Sequence, residues 1–199
     1  MKFTHTADGV AYDWVHGNLY WTDTGRNTIE LLTMVGQHRK TIVNINLVKP
    51  CGIAVDPRDG QKWMYWTDWG YKGKIEKSGL DGSERALVVA TNIGWPNDVT
   101  IDYMENRLYW TDAKLCSISS CDLDGRNNRQ ILMDTTISNH PFGIDVFGDR
   151  IYWSDWDTAS VYQANKHNGS LVNKIYTSAT SNPAGIRVYH PTKQRHGKF

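Results

Sequence analysis

Four aspartates, Asp23, Asp68, Asp112 and Asp155, close four nearly identical words: Leu19-Tyr20-Trp21-Thr22-Asp23, Met64-Tyr65-Trp66-Thr67-Asp68, Leu108-Tyr109-Trp110-Thr111-Asp112 and Ile151-Tyr152-Trp153-Ser154-Asp155. A carboxylate can act as a general acid or base, or as an oxygen ligand for a cation. Catalysis needs an acid and a base in distinct environments, and near-equivalent copies offer one environment repeatedly. A half-buried Asp is also stable when it accepts hydrogen bonds from backbone or hydroxyl donors. These four are therefore read as structural links. Along a strand the side-chain period is two, so Tyr20 and Thr22 face one way and Trp21 and Asp23 the other.

A second set of residues lies just outside the words. Trp69 and Trp156 follow a word directly, while Trp95, Asn97, His140 and Phe142 stand at the start of apolar strands. If word and preceding strand form a hairpin, the end of one and the start of the other share a rim. Large rigid rings with a few polar groups gain contact area at low entropic cost, as an interface hot spot requires. These residues are the candidate partner-binding site.

The elements that must position them repeat as well. The tyrosines of the words are 45, 44 and 43 residues apart, and about 40–45 residues is the length of a four-stranded propeller blade. Short apolar strands precede the words: Gly9 to Asp13, Gly52 to Asp56, Asp98 to Asp102 and Gly143 to Phe147. Turn residues such as His16-Gly17-Asn18 separate strand from word, so the two read as a hairpin. A third strand follows, then a Leu-Asp-Gly turn (Leu80-Asp81-Gly82, Leu123-Asp124-Gly125), then a fourth strand such as Arg85 to Val89. The pattern predicts an all-β propeller with blades over about 9–49, 50–93, 94–139 and 140–181, a closing strand at 182–191 and a tail at 192–199. No repeat can bury its apolar face alone, so neighbours must share cores.

Composition narrows the function. With 22 basic and 21 acidic side chains, no global field draws the chain to nucleic acid or an anionic membrane. The basic runs His38-Arg39-Lys40 and Lys193 to Lys198 read as solvated surface. No apolar stretch approaches the roughly 18 residues of a membrane span, and Met1-Lys2-Phe3-Thr4 opens no signal peptide. Any targeting or anchoring segment is expected elsewhere.

Tyr-Trp-Thr-Asp words at this spacing resemble the class B repeats of the low-density lipoprotein receptor family, which form a six-bladed propeller. Trp69-Gly70 after the second word and Gly94-Trp95-Pro96-Asn97 before the third strengthen the likeness, as does Lys114-Leu115 with Ser117-Ile118-Ser119-Ser120. Asn182 to Pro191 resembles the family's closing strand. The resemblance implies the extracellular part of a single-pass endocytic or signalling receptor, found at the cell surface and in endosomes. Its implied partners are a protein or lipoprotein ligand and the EGF-like and ligand-binding modules of the same receptor. It implies neither catalysis nor a cofactor. Rim positions that match the candidate residues grip short ligand motifs in the family's Wnt co-receptor branch. Four blades and an orphan strand, against a family count of six, read as the C-terminal part of a larger ring; a closed four-bladed ring is the alternative.

A rival reading is a propeller hydrolase of the lactonase type, with calcium in the channel. Trp95-Pro96-Asn97-Asp98 resembles that family's Pro-Asn-Asp turn. Calcium takes about 6–8 oxygens, and the corresponding positions Cys51-Gly52, Phe142-Gly143 and Ala184-Gly185 supply none from side chains. No metal site is expected. Cys116 and Cys121, read as lying on one strand, would be about 16 Å apart, beyond the roughly 7 Å limit of a disulfide. Cys121 is expected to be buried, and Cys51 exposed on the rim. The sequon Asn168-Gly169-Ser170 falls in the outer turn of the fourth blade, a surface place for a glycan.

Overall fold

The computed structural model describes residues 6–35, 38–58, 60–190 and 193. Their strands form four antiparallel sheets in sequence order. Blade one holds β1 (Ala7–Asp13), β2 (Asn18–Asp23), β3 (Thr28–Thr33) and β4 (Arg39–Val43). Blade two holds β5 (Pro50–Asp56), β6 (Trp63–Asp68), β7 (Lys74–Gly79) and β8 (Ala86–Val89). Blade three holds β9 (Pro96–Asp102), β10 (Arg107–Asp112), β11 (Ser117–Asp122) and β12 (Arg129–Met133). Blade four holds β13 (Pro141–Phe147), β14 (Arg150–Asp155), β15 (Ser160–Asn165) and β16 (Asn173–Thr177). This is the all-β propeller that the period predicts.

The words hold the blades together. Tyr20 of blade one packs in a buried cluster with Ile53, Val55 and Trp66 of blade two. Tyr65 of blade two meets Val99, Ile101 and Trp110 of blade three, and Tyr109 of blade three meets Ile144, Val146 and Trp153 of blade four. The tyrosine thus faces the following blade and the tryptophan the preceding one. Each buried ring removes about 150–250 Å² from water, an upper-limit transfer term of about 4–6 kcal/mol. At the two ends of the arc the pattern lacks a neighbour among the described residues: Trp21 and Tyr152 are only half-buried, and Val10 and Tyr12 are exposed.

The hydroxyl of each word makes a second set of links. The hairpin register shifts between Ala7 and Val10, Pro50 and Ile53, and Pro141 and Ile144, and opposite Trp110 and Asp112 in blade three. The hydroxyl fills this gap by accepting from the inner strand: Gly9 N to Thr22 Oγ1 at 2.9 Å, Gly52 N to Thr67 at 2.8 Å, Asp98 N to Thr111 at 3.2 Å and Gly143 N to Ser154 Oγ at 2.9 Å. The same hydroxyls donate onward: Thr22 to Cys51 O, Thr67 to Asn97 O at 3.3 Å, Thr111 to Phe142 O at 2.6 Å and Ser154 to Ala184 O at 2.6 Å.

Outer turns close the seams. Gly125 has φ 88°, a left-handed conformation that suits glycine. A Cβ there would lie 2.1 Å from Val88 O of blade two, so no side chain fits. On the rim opposite the words' ends, cations bridge neighbours. Arg58 pairs with Asp56 in blade two and donates to Tyr103 O of blade three at 2.7 Å. Lys166 of blade four, 3% exposed, reaches Asp102 at 2.5 Å and Glu105 at 2.9 Å in blade three.

The expected closing strand at 182–191 is not formed: residues 178–190 enter no ladder. The segment nevertheless lies beside β13, where a Cβ on Gly143 would meet Ala184 O at 2.7 Å and Ile186 N at 2.8 Å. Its anchors are single bonds, such as Val188 N to Asp145 Oδ2 at 2.6 Å and Lys193 Nζ to Asp145 Oδ1. An inner strand forms its ladder within its own blade, and no second strand of such a blade occurs among the described residues. Residues 191, 192 and 194–199 of the expected closing strand and tail lie outside the described residues.

Candidate functional site

Each word ends beside the start of its own inner strand, and one backbone bond recurs there. Thr24 N donates to Thr6 O, Trp69 N to Lys49 O, Ala113 N to Trp95 O and Trp156 N to His140 O, at 3.0–3.2 Å. The aspartates of the words hold the same loops. Asp68 accepts from Val48 N and Lys49 N at 3.0 and 2.8 Å, and Asp112 from Gly94 N and Trp95 N at 2.6 and 3.0 Å. Asp155 accepts from His140 N at 2.8 Å and Thr158 N at 2.9 Å, and Asp23 from Arg26 N at 3.0 Å and Thr6 N at 3.4 Å.

This geometry gathers the candidate residues into two groups on one rim. Trp69 and Trp95, on blades two and three, lie 6.5 Å apart at 56°, with Lys49 Nζ 4.5 Å over the Trp69 ring. On blade four, His140 and Phe142 both stack on Trp156, at 5.2 Å and 13° and at 4.3 Å and 12°. Trp95 is 45% exposed, and Trp69, His140, Phe142 and Trp156 are half-buried. The indole Nε1 of Trp156 is buried with no hydrogen-bond partner. Asn97 behaves differently: at 7% exposure its amide donates to Pro141 O at 2.9 Å, tying blade three to blade four.

Beside the second group lies a cavity of about 530 Å³ at the channel mouth, whose walls include Cys51, Asn97, Asp98, Phe142, Trp156 and Arg187. Its charges answer one another. Asp98 accepts from Val99 N at 2.9 Å, Ile144 N at 3.1 Å and Arg187 Nη1 at 3.0 Å. The Asp98 carboxylate raises the pKa of Arg187 above its ordinary value, so the guanidinium stays charged. Cys51 is buried rather than exposed, although it borders this cavity. Burial, with Asp8 and Asp98 nearby, pushes its thiol up to about 12. Such a thiol is no nucleophile at neutral pH. No cluster of His, Cys, Asp or Glu suited to a metal ion occurs among the described residues.

Two neighbours of the site carry no obvious mark in the sequence. Lys49 occupies the register of Trp95 and His140, so the repeat alignment could have found it. Arg187 sits in the orphan segment, and only folding brings it to Asp98. Cys116 also departs from expectation, lying in the turn before β11 with φ 50° rather than on the strand. Asn168 is exposed in the β15–β16 turn, where its Oδ1 accepts from Ser170 N at 3.0 Å.

Comparison with known proteins agrees with this architecture. The low-density lipoprotein receptor repeat class B family matches residues 17–57, 62–103 and 106–147. A vitellogenin receptor of Drosophila melanogaster is 35% identical over 94% of the chain, and one of Solenopsis invicta 38% over 92%. A human low-density lipoprotein receptor-related protein 5-like protein is 35% identical over 80%. The aligned region spans 9%, 10% and 62% of those three proteins, respectively. A chain in the crystal structure of a nidogen/laminin complex superposes with a TM-score of 0.83 at 27% identity, over 90% of this chain and 67% of that one. By its repeated words and by these matches over more than half its length, the chain belongs to the low-density lipoprotein receptor class B repeat family.

Proposed function

We propose that this propeller is a non-enzymatic, extracellular ligand-binding module of an endocytic or signalling receptor. The observation that carries this reading is the pair of aromatic groups, Trp69 with Trp95 and Trp156 with His140 and Phe142, on one rim beside the channel mouth. Rings held by stacking, as His140 and Phe142 are on Trp156, are preorganised, so little side-chain entropy remains to be lost on binding. Lys49 over Trp69 adds a cation for an acidic group on the ligand. The receptor names of the relatives support a protein or lipoprotein ligand, and EGF-like or ligand-binding modules of the same receptor are the partners expected in cis. The exposed sequon at Asn168 fits a glycosylated surface. Against the calcium-hydrolase alternative stands the use of Asp98 and Asn97 in bonds between blades.

The test is surface plasmon resonance with vitellogenin and low-density lipoprotein as separate analytes over the immobilised chain. Trp69→Ala and Trp156→Ala should each weaken binding by about 1–3 kcal/mol while thermal unfolding stays cooperative. Binding that is equal in wild type and both variants would place the ligand surface elsewhere.

A further inference from the structure

Blades one and two fill the same spot on their third strand with a paired carboxylate. Glu30, opposite Trp21, accepts from Thr28 Oγ1 at 2.8 Å, Thr41 Oγ1 at 3.0 Å and Arg39 Nε at 3.1 Å. Glu76, opposite Trp66, pairs with Arg85 at 2.7 Å and Lys74 at 2.8 Å. In blade three the residue opposite Trp110 is Ser119. The fourth-strand register puts Gln130 where Thr41 and Leu87 stand. Two residues earlier, Asn128 replaces Arg39 and Arg85. Both the carboxylate and its arginine are gone.

What remains is a cavity of about 540 Å³ between blades two and three, within the roughly 300–1,000 Å³ of small-ligand sites. Ser119, Asn128, Gln130 and Asn92 supply hydroxyl and amide groups to its wall, and Lys114 and Arg129 stand on it, with no carboxylate in the lining. Neither cation has a hydrogen bond or ion pair among the described residues. The Lys114 stem lies against Gly94, close enough that a Cβ there would come 2.8 Å from Lys114 Cβ.

We propose that this cavity binds an acidic saccharide. Amides and hydroxyls both donate and accept, which matches sugar hydroxyls, while the two unpaired cations match sulfate or carboxylate groups. An acidic peptide would use the cations but leave the hydroxyl and amide wall unmatched. None of the rim aromatics lines this cavity, so Trp156→Ala should leave it intact.

The experiment is calorimetric titration of the full chain with a heparin-derived tetrasaccharide, with sialyllactose and with a hexaglutamate peptide. Ser119→Glu combined with Asn128→Arg restores the carboxylate–arginine pair that blades one and two already accommodate, and Lys114→Glu reverses an exposed charge. Both should weaken saccharide binding at least tenfold with unchanged unfolding temperature. Preference for the tetrasaccharide supports a sulfated source, and preference for sialyllactose a carboxylated one. Equal affinity in wild type and both variants, absence of saccharide binding, or hexaglutamate binding as tightly as either sugar would overturn the proposal.

Discussion

Asp98 and Arg187, 89 residues apart in sequence, meet at 3.0 Å across the channel mouth. In the other blades the position of Asp98 is Gly9, Gly52 or Gly143. A Cβ on Gly52 would lie 2.5 Å from Asp98 Cα, so the next inner strand excludes a side chain there. Blade three leaves room, and the carboxylate uses it to hold both Ile144 N and the segment after blade four. Asp98→Gly should therefore lower stability by about 1–3 kcal/mol, the usual cost of losing bonds to a charged group. Urea unfolding measures this, and Asp98→Asn should lie between the two.

The word's hydroxyl predicts a second loss. Thr67→Val keeps the shape but leaves Gly52 N and Asn97 O without their buried partner. About 1–3 kcal/mol should be lost, whereas Thr67→Ser should approach wild type, as Ser154 already shows the hydroxyl suffices in blade four. A Val variant as stable as wild type, with the loss appearing only in the Ser variant, would assign the effect to the methyl group instead.

Glu30 makes a prediction about acid. Burial alone would raise its pKa, but the bonds from Thr28, Arg39 and Thr41 outweigh burial and hold it below its ordinary 4.5. A lowered folded-state pKa adds stability above the unfolded value, and that stability is lost as pH falls through the folded one. Unfolding temperature should drop below about pH 4.5 in the wild type, and this part of the drop should be absent in Glu30→Gln.

The thiols can be ranked. Cys51 and Cys121 are pushed up to about 12, chiefly by burial. Cys116 is raised by partial burial and by Asp112, Asp155 and Asp157, but it is more accessible. Iodoacetamide at neutral pH should label Cys116 first, and the other two only after denaturation. Mass spectrometry showing Cys51 labelled at the rate of Cys116 would contradict the buried geometry.

Blades were legible because the words impose a period, and the period-two alternation separated the tyrosine face from the tryptophan face. The hydrogen bonds of Asp68 and Asp112 follow from the same alternation, since a buried carboxylate needs donors and the adjoining loop supplies them. What escaped depends on single contacts. Cys116 takes a left-handed turn that no local pattern marks, and Cys51 is buried only once the chain has folded. Residues 182–191 carry a strand-like pattern, yet a ladder needs a partner strand. Asn97 looked like a rim residue until its amide met Pro141, 44 positions away.

The forward tyrosine and backward tryptophan give every blade a socket on one side and a plug on the other. A duplicated unit of this kind arrives with both fittings, so a copy inserted between two blades restores each joint without inventing a new surface. Lengthening such an arc is chemically cheap. The limit on its size comes from curvature, the angle each joint adds before the last socket meets the first plug.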